Sequence, residues 1–252
     1  MKRFIVAIDQ GTTSSRAILF SLSGKNIYSS QKEFKQYFPK DGWVEHNPNE
    51  IWNTTKKVLI DVIKKSKRLK GKILTIGITN QRETTILWNK KTGKPVYNAI
   101  VWQDRRTAEF CKKFKTNKKE KFINRRTGLL IDPYFSATKI KWILDNVVTA
   151  KRLLRNNNLL FGTIDTFLLW KLTKGKIHAT DATNASRTML FNISRNKWDK
   201  DILKILNIPK NILPTVKDSS DDFGATDKSI TGASYPINGV IGDQQAATIG
   251  QS

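Results

Sequence analysis

Short apolar runs alternate with polar loops at the start of the chain. Phe4–Ile8 and Arg16–Phe20 read as two strands, and the polar stretch Asp9-Gln10-Gly11-Thr12-Thr13-Ser14-Ser15 lies between them. A turn at Ser23-Gly24-Lys25 leads to a third strand over Ile27–Phe34, which makes a β-meander. The period then changes. Ile51, Trp52, Thr55, Val58, Leu59, Val62 and Ile63 fall at i, i+1, i+4, i+7, i+8, i+11 and i+12, one face of a helix, and Lys56, Lys57, Lys64 and Lys65 take the other face. Asn47-Pro48 opens that helix with proline at its first position. Ile73–Thr79 reads as a buried strand. Thr84–Trp88 and Ala99–Trp102 read as a strand pair joined across Lys91-Thr92-Gly93. Helices are predicted over Ser136–Asn146 and Asp165–Leu172, strands over Ala185–Phe191 and Val240–Gly242, and a last helix starts at Gln244–Ile249. The mixture favours α/β or α+β, with neither an internal repeat nor a Pro-, Gly- or Ser-rich linker.

Composition changes this picture little. A chain of 252 residues with 38% hydrophobic content can bury a core of ordinary size. One cysteine, Cys111, excludes an intrachain disulfide framework and suits a reducing compartment. The basic opening Met1-Lys2-Arg3 resembles a signal peptide, but its apolar run ends at Asp9. No stretch approaches the roughly 18 apolar residues of a membrane span, so a cytoplasmic protein is expected. The net charge of +24 raises nucleic acid as a partner. The lysines are spread over nearly every element instead of forming one stripe interleaved with aromatics, so they read as solvated surface. His46 and His178 read as solvated, Cys111 as packing near Phe110 and Phe114, and Trp43, Trp88, Trp142, Trp170 and Trp198 as filling the core or gaps between helices.

Candidate chemistry sits at strand ends. The loop Asp9–Arg16 offers hydroxyls and backbone N–H groups from Thr12, Thr13 and Ser14, and a charge from Arg16, all suited to phosphate. Gly11 would let the backbone turn tightly and approach closely. Asp9 suits a metal ion. A plain polar hairpin loop explains the same residues, and no Walker sequence occurs. Asn80-Gln81-Arg82-Glu83 follows a buried strand. Its charges make either a surface pair or a cleft that binds hydroxyls. Trp102, in Val101-Trp102-Gln103-Asp104-Arg105-Arg106, and Tyr134, in Pro133-Tyr134-Phe135, offer flat faces. Gly242-Asp243-Gln244-Gln245 repeats the pattern of a strand end running into a helix.

Together these segments carry a resemblance. Asp9–Ala17, Ile78–Thr84, Val101–Thr107, Tyr134–Asn146 (YFSATKIKWILDN), Asp181–Asn192 and Gly242–Ala247 resemble, in family order, the motifs of the FGGY carbohydrate kinases, in the form found in glycerol kinases. The resemblance implies a ribonuclease-H-like domain of the actin and sugar-kinase type, a mixed five-stranded sheet flanked by helices. It implies ATP-dependent phosphorylation of glycerol, with ATP and Mg²⁺ as cofactors. Carried over position by position, Arg82, Glu83, Trp102, Tyr134, Asp243 and Gln244 would contact glycerol. Thr12, Thr13, Ser14 and Arg16 would hold the phosphates, and Asp9 and Asp243 would organise Mg²⁺. Asp243 would be the general base. Residues 1–252 would form the N-terminal domain. The second domain, which brings the adenosine pocket in the family, lies outside this sequence, so a separately encoded C-terminal domain is one conceivable partner and homo-oligomers are allowed. The rival readings are another polyol or sugar kinase, a non-catalytic remnant and a basic nucleic-acid-binding module.

Overall fold

A computed structural model describes residues 2–251. Its centre is a five-stranded sheet in the spatial order Ile237–Gly242, Gly71–Asn80, Lys2–Gln10, Ser14–Ser21, Asn26–Glu33. The first three in that order run parallel, and the last two continue antiparallel as the meander. Val6, Ile8, Ile76, Ile78 and Val240 fill the interior of this mixed sheet. The long helix Pro48–Arg68 packs against it through Ile51, Val58, Leu59 and Val62, and Asn47 caps its start by accepting from the Asn49 amide. The helix Ile164–Leu172 is mostly buried, and its apolar residues join the same core. A second core gathers Ile140, Ile143, Phe161, Phe191, Ile202 and Leu206 around the helix Ser136–Asn146.

Several expectations change on contact with the structure. The segment Ala185–Phe191 is not a strand. Asp181 caps a short helix, Ala182–Ala185, a 3₁₀ turn follows at Ser186–Thr188, and Met189 takes φ +63°. Only Phe191–Asn192 pairs, with Lys197–Trp198. The strand Ile86–Asn89 finds its partner in Leu159–Gly162, and its contact with the 95–100 segment reduces to the bridges Thr85–Ile100 and Trp88–Pro95. His46 is fully buried, and His178 is half-buried with its Nε2 donating to the Phe161 carbonyl at 2.8 Å. Burial pushes both imidazoles down to about 4. Lys139 departs from the solvated lysines: it is completely buried. Cys111 is buried on the helix Ala108–Phe114, as the pattern implied, and burial pushes its thiol up to about 11. Among the described residues no helix is long and apolar enough to cross a membrane.

Candidate active site

The parallel register aligns three strand ends. Gln10 lies opposite Asn80, and Asn80 lies opposite Gly242. The segments that follow, Gly11–Ser14, Gln81–Glu83 and Asp243–Gln245, therefore emerge side by side at the carboxyl edge, where open α/β sheets hold ligands. A buried polar network fixes two of these exits. Asn80 Nδ2 donates to Asn184 Oδ1 at 3.0 Å, and Asn184 Nδ2 donates to Asp181 Oδ1 at 2.8 Å. Asp181 Oδ2 accepts from Thr183 Oγ1 at 2.6 Å, and Thr183 Oγ1 accepts from the Gly242 amide at 2.8 Å. Asp165, wholly buried beside this network, has its carboxyl pushed up to about 6 by burial, against the donations from Thr163 and Thr180.

Thr12, Arg82, Glu83, Trp102, Tyr134, Asp243 and Gln244 line a pocket of about 100 Å³. Arg82 is 3% exposed. Its Nε donates to Asp243 Oδ1 at 3.1 Å and its Nη1 to Gln245 Oε1 at 3.1 Å. A Cβ at Gly242 would overlap Cγ and Cδ of Arg82, so glycine is required where the arginine crosses the strand end. Glu83 takes φ +60°, which non-glycine residues hold only under constraint. The constraints are visible. The Thr84 amide donates to the Arg82 carbonyl at 2.6 Å across this residue, and Ser136 Oγ and Thr85 Oγ1 both donate to the Glu83 carbonyl. Burial raises the Glu83 carboxyl, while Arg187, Arg82 and Lys139 act in the opposite direction. The Trp102 and Tyr134 rings stand 5.5 Å apart, tilted by 56°, and Trp102 Nε1 donates to Thr12 Oγ1 at 3.1 Å. Lys139 Nζ donates to the Pro133 and Tyr134 carbonyls, both at 2.6 Å, and so fixes the corner that presents Tyr134. Burial lowers this ammonium to about 7, although Asp104 and Glu83 pull upward.

The loop beside the pocket is open in front and braced behind. Arg16 Nη2 donates to Asp9 Oδ2 at 2.6 Å, with both side chains substantially exposed. Thr13 is exposed, and Ser14 Oγ accepts from Gln31 Nε2 at 3.0 Å. Behind the loop, Gln81 Nε2 donates to the Gly11 carbonyl and Gln36 Nε2 to the Thr12 carbonyl, both at 3.0 Å. His46 joins these glutamines: its Nε2 meets Gln36 Oε1 at 2.5 Å and its Nδ1 meets Gln81 Nε2 at 3.4 Å. The neutral ring donates through Nε2 and accepts at Nδ1. Gly11 itself would tolerate a Cβ, with only an ordinary contact 3.5 Å from the Ser14 carbonyl, so the turn does not demand glycine.

Of the expected residues, Arg82, Glu83, Trp102, Tyr134, Asp243, Gln244 and Thr12 line one pocket, whereas Thr13, Ser14, Arg16 and Asp9 are not among its lining residues and lie on the adjoining strand-end loop. Arg187, Gln245, His46 and Lys139 are further residues around the site; Arg187, Gln245 and Lys139 lie within the motif segments, where their charge and polarity were the available signal, and His46 lies outside them. Among the described residues no group of three or more His, Cys, Asp or Glu side chains is placed to hold a metal. Both carboxylates expected to organise Mg²⁺ accept from arginines here: Asp9 Oδ2 from Arg16 at 2.6 Å and Asp243 Oδ1 from Arg82 at 3.1 Å.

Strand order, the carboxyl-edge pocket and the hydroxylated loop define a sugar-kinase domain of the actin and ribonuclease-H-like type. The chain belongs to the FGGY family of carbohydrate kinases: residues 4–250 match that family's N-terminal domain. It is 57% identical over 251 residues to a glycerol kinase of Petrotoga mobilis, covering all of this chain and 50% of that protein. It is 58% identical over 252 residues to a glycerol kinase of Caldanaerobacter subterraneus subsp. tengcongensis, covering all of this chain and 51% of that protein. The chain spans about half the length of the curated relatives it matches. A solved structure, Plasmodium falciparum glycerol kinase with ADP, superposes with a TM-score of 0.95 at 38% identity, over 99% of this chain and 50% of that one. A gluconate kinase from Lactobacillus acidophilus, at 24% identity and TM-score 0.87, shares the fold over 99% of this chain and 50% of its own.

Proposed function

We infer that this chain supplies the acceptor-binding half of an ATP-dependent glycerol kinase, which transfers the γ-phosphoryl group of ATP to a glycerol hydroxyl and yields glycerol 3-phosphate and ADP. The observation that carries this reading is the pocket of about 100 Å³, sized for a small acceptor, with a buried carboxylate, a buried guanidinium and two aromatic faces on its walls. Glycerol presents three hydroxyls on a short carbon chain. Arg82 donates to them and Glu83 accepts from them, and the Trp102 and Tyr134 faces cover the carbons. Asp243 is the general base. Its Oδ1 already accepts from Arg82 and from the Gln244 amide at 2.8 Å, so Oδ2 takes the hydroxyl proton as the oxygen attacks phosphorus and ADP departs. Thr12, Thr13, Ser14 and Arg16 receive the phosphates, and Arg16 exchanges its Asp9 partner for them. Mg²⁺, held by Asp9 and Asp243, would neutralise phosphate charge. The proposed working unit is the full length of the relatives, in which the adenosine is held by residues beyond this chain, in one polypeptide or as a separate partner. A cytoplasmic location fits an enzyme that uses ATP.

The test is a coupled assay with ATP, Mg²⁺ and glycerol. The expected outcome is no glycerol-dependent turnover from residues 1–252 alone. Turnover of about 1–100 s⁻¹ is expected once the nucleotide-binding half is supplied, because phosphoryl transfer depends on holding both substrates in line. Turnover on that scale from residues 1–252 alone, or none from the full-length protein, would overturn the reading.

A further inference from the structure

Sharing Tyr134 with the pocket is a second, open depression of about 510 Å³, lined in part by Leu129, Leu130, Phe135, Tyr134 and Arg187. Tyr134 lines both spaces. Arg187 stands at the same partition. Its Nε donates to Glu83 Oε1 at 2.7 Å, and its guanidinium lies 5.7 Å from the centre of the Tyr134 ring and 5.0 Å from that of Phe135. One side chain therefore touches the buried carboxylate of the small pocket and walls the larger depression. It reaches this place only because Ser186–Thr188 form a 3₁₀ turn; a strand there would have alternated its side chains across a sheet.

Two consequences follow. With Oε1 engaged by Arg187, the Glu83 carboxylate has Oε2 left for a ligand hydroxyl, so the arginine sets both its charge and its rotation. The guanidinium, which walls the second space and bonds the carboxylate of the first, stands with Tyr134 between the two. We propose that Arg187 is a positioning and length-selecting residue: it presents Glu83 to the acceptor and, with Tyr134, closes the pocket to polyols longer than three carbons. This rests on the proposed function, because it takes the small pocket as the acceptor site.

The test uses residues 1–252, which contain every lining residue of both spaces, as wild type, Arg187→Lys and Arg187→Ala. Circular dichroism checks that each variant is folded. Dissociation constants for glycerol and for xylitol, a five-carbon polyol, are measured by ligand-observed NMR. Arg187→Ala is expected to weaken glycerol about tenfold or more and to leave xylitol unchanged or tighter, so the preference for glycerol falls at least about tenfold. Arg187→Lys, which keeps a cation beside Glu83, is expected to recover part of the glycerol affinity. A merely structural role would weaken both polyols equally, and that result, or unaltered selectivity in Arg187→Ala, overturns the proposal. The second readout is the Glu83 carboxyl, followed by ¹³C NMR. The ionisable groups acting on it include Arg82, Arg187, Lys139 and Tyr134. Losing one cation should move its titration upward in Arg187→Ala, and an unmoved titration would overturn the positioning role. If the wild type bound neither polyol, the acceptor reading of the pocket would fail, and the Arg187 assignment would be decided by the Glu83 titration alone.

Discussion

The two halves of the site differ in what holds their side chains. Around the pocket, Arg82 and Glu83 are buried, and both are tied to protein partners by bonds of 2.7–3.1 Å. Around the loop, Arg16, Thr13 and Asp9 face solvent, and the structure fixes the backbone from behind through Gln36, Gln81 and His46. The pocket is preorganised by buried pairs, while the loop is a braced backbone whose side chains are more exposed and make fewer buried contacts. A neutral three-hydroxyl ligand needs the first kind of site, because each unpaired buried group costs specificity. A multiply charged phosphate chain suits the second, because ionic contacts tolerate variable geometry and can be completed on arrival.

The largest expected effect is at Asp243, the proposed general base. Asp243→Asn in the complete kinase should lower kcat by about 10²–10⁴-fold, the usual worth of a general base, and leave the glycerol KM within a few-fold. Retained kcat in steady-state assays would remove Asp243 from that role. Arg82→Ala probes the preorganised side. Losing a charged hydrogen bond of about 1.5–3 kcal/mol should raise the glycerol KM by roughly 10–150-fold, and the thermal midpoint should fall because Asp243 and Gln245 lose a partner. On the open side, Thr13→Ala should change the ATP KM by less than about tenfold and leave the thermal midpoint nearly unmoved. If these two variants behaved alike, the contrast between the halves would be wrong.

Acid tests the brace. The His46 imidazole is pushed from 6.5 down to about 4 by burial, so between those values the unfolded chain holds a proton that the folded one refuses. Stability therefore falls as the pH drops from about 6.5 through about 4, by as much as about 3 kcal/mol for a group shifted this far. His178 titrates in the same window. Urea midpoints should consequently drop between pH 6.5 and 4 in the wild type and drop by less in His46→Gln. An equal slope in the two proteins would show that His46 is not held neutral.

These contrasts also explain what the sequence could disclose. The sheet strands and the long helix carry clean periods, whereas Arg82, Glu83, Trp102, Tyr134, Asp243 and Gln244 are pointed to by the resemblance of their segments to the family motifs, and the structure brings these six to one pocket. The roles of the supporting residues were not legible. His46 lies on a two-residue strand, Glu45–His46, in a polar stretch, and its burial depends on packing between distant segments. Lys139 lies among other lysines, and only the backbone carbonyls of the Pro133–Phe135 corner distinguish it. Arg187 was read into a strand because Met189, Leu190 and Phe191 are apolar, whereas Asp181 capping and the left-handed turn at Met189 decide the local fold. The helix Asn117–Thr127 was missed because it buries only Ile123 and Thr127 on an otherwise charged surface.

The smallest expected effect separates backbone shape from ligand approach. Gly242 and Gly11 both precede site residues, yet the structure treats them differently. A Cβ at Gly242 would overlap Arg82, whereas one at Gly11 would meet only the Ser14 carbonyl at 3.5 Å, and Gly11 does not have a left-handed φ. Gly11→Ala is therefore expected to fold normally, with stability within about 0.5 kcal/mol of wild type or slightly higher, since alanine restricts the unfolded chain. Gly242→Ala should displace Arg82 and weaken glycerol binding. If phosphate oxygens come against the Gly11 backbone, the added methyl should still weaken ATP binding in the complete kinase while glycerol binding is unaffected. Urea denaturation and the two ligand titrations distinguish the cases. A destabilised Gly11→Ala would mean that the loop geometry needs glycine after all. A stable variant with normal ATP affinity would mean that the phosphates are held by the hydroxyls and Arg16 and do not approach the Gly11 backbone.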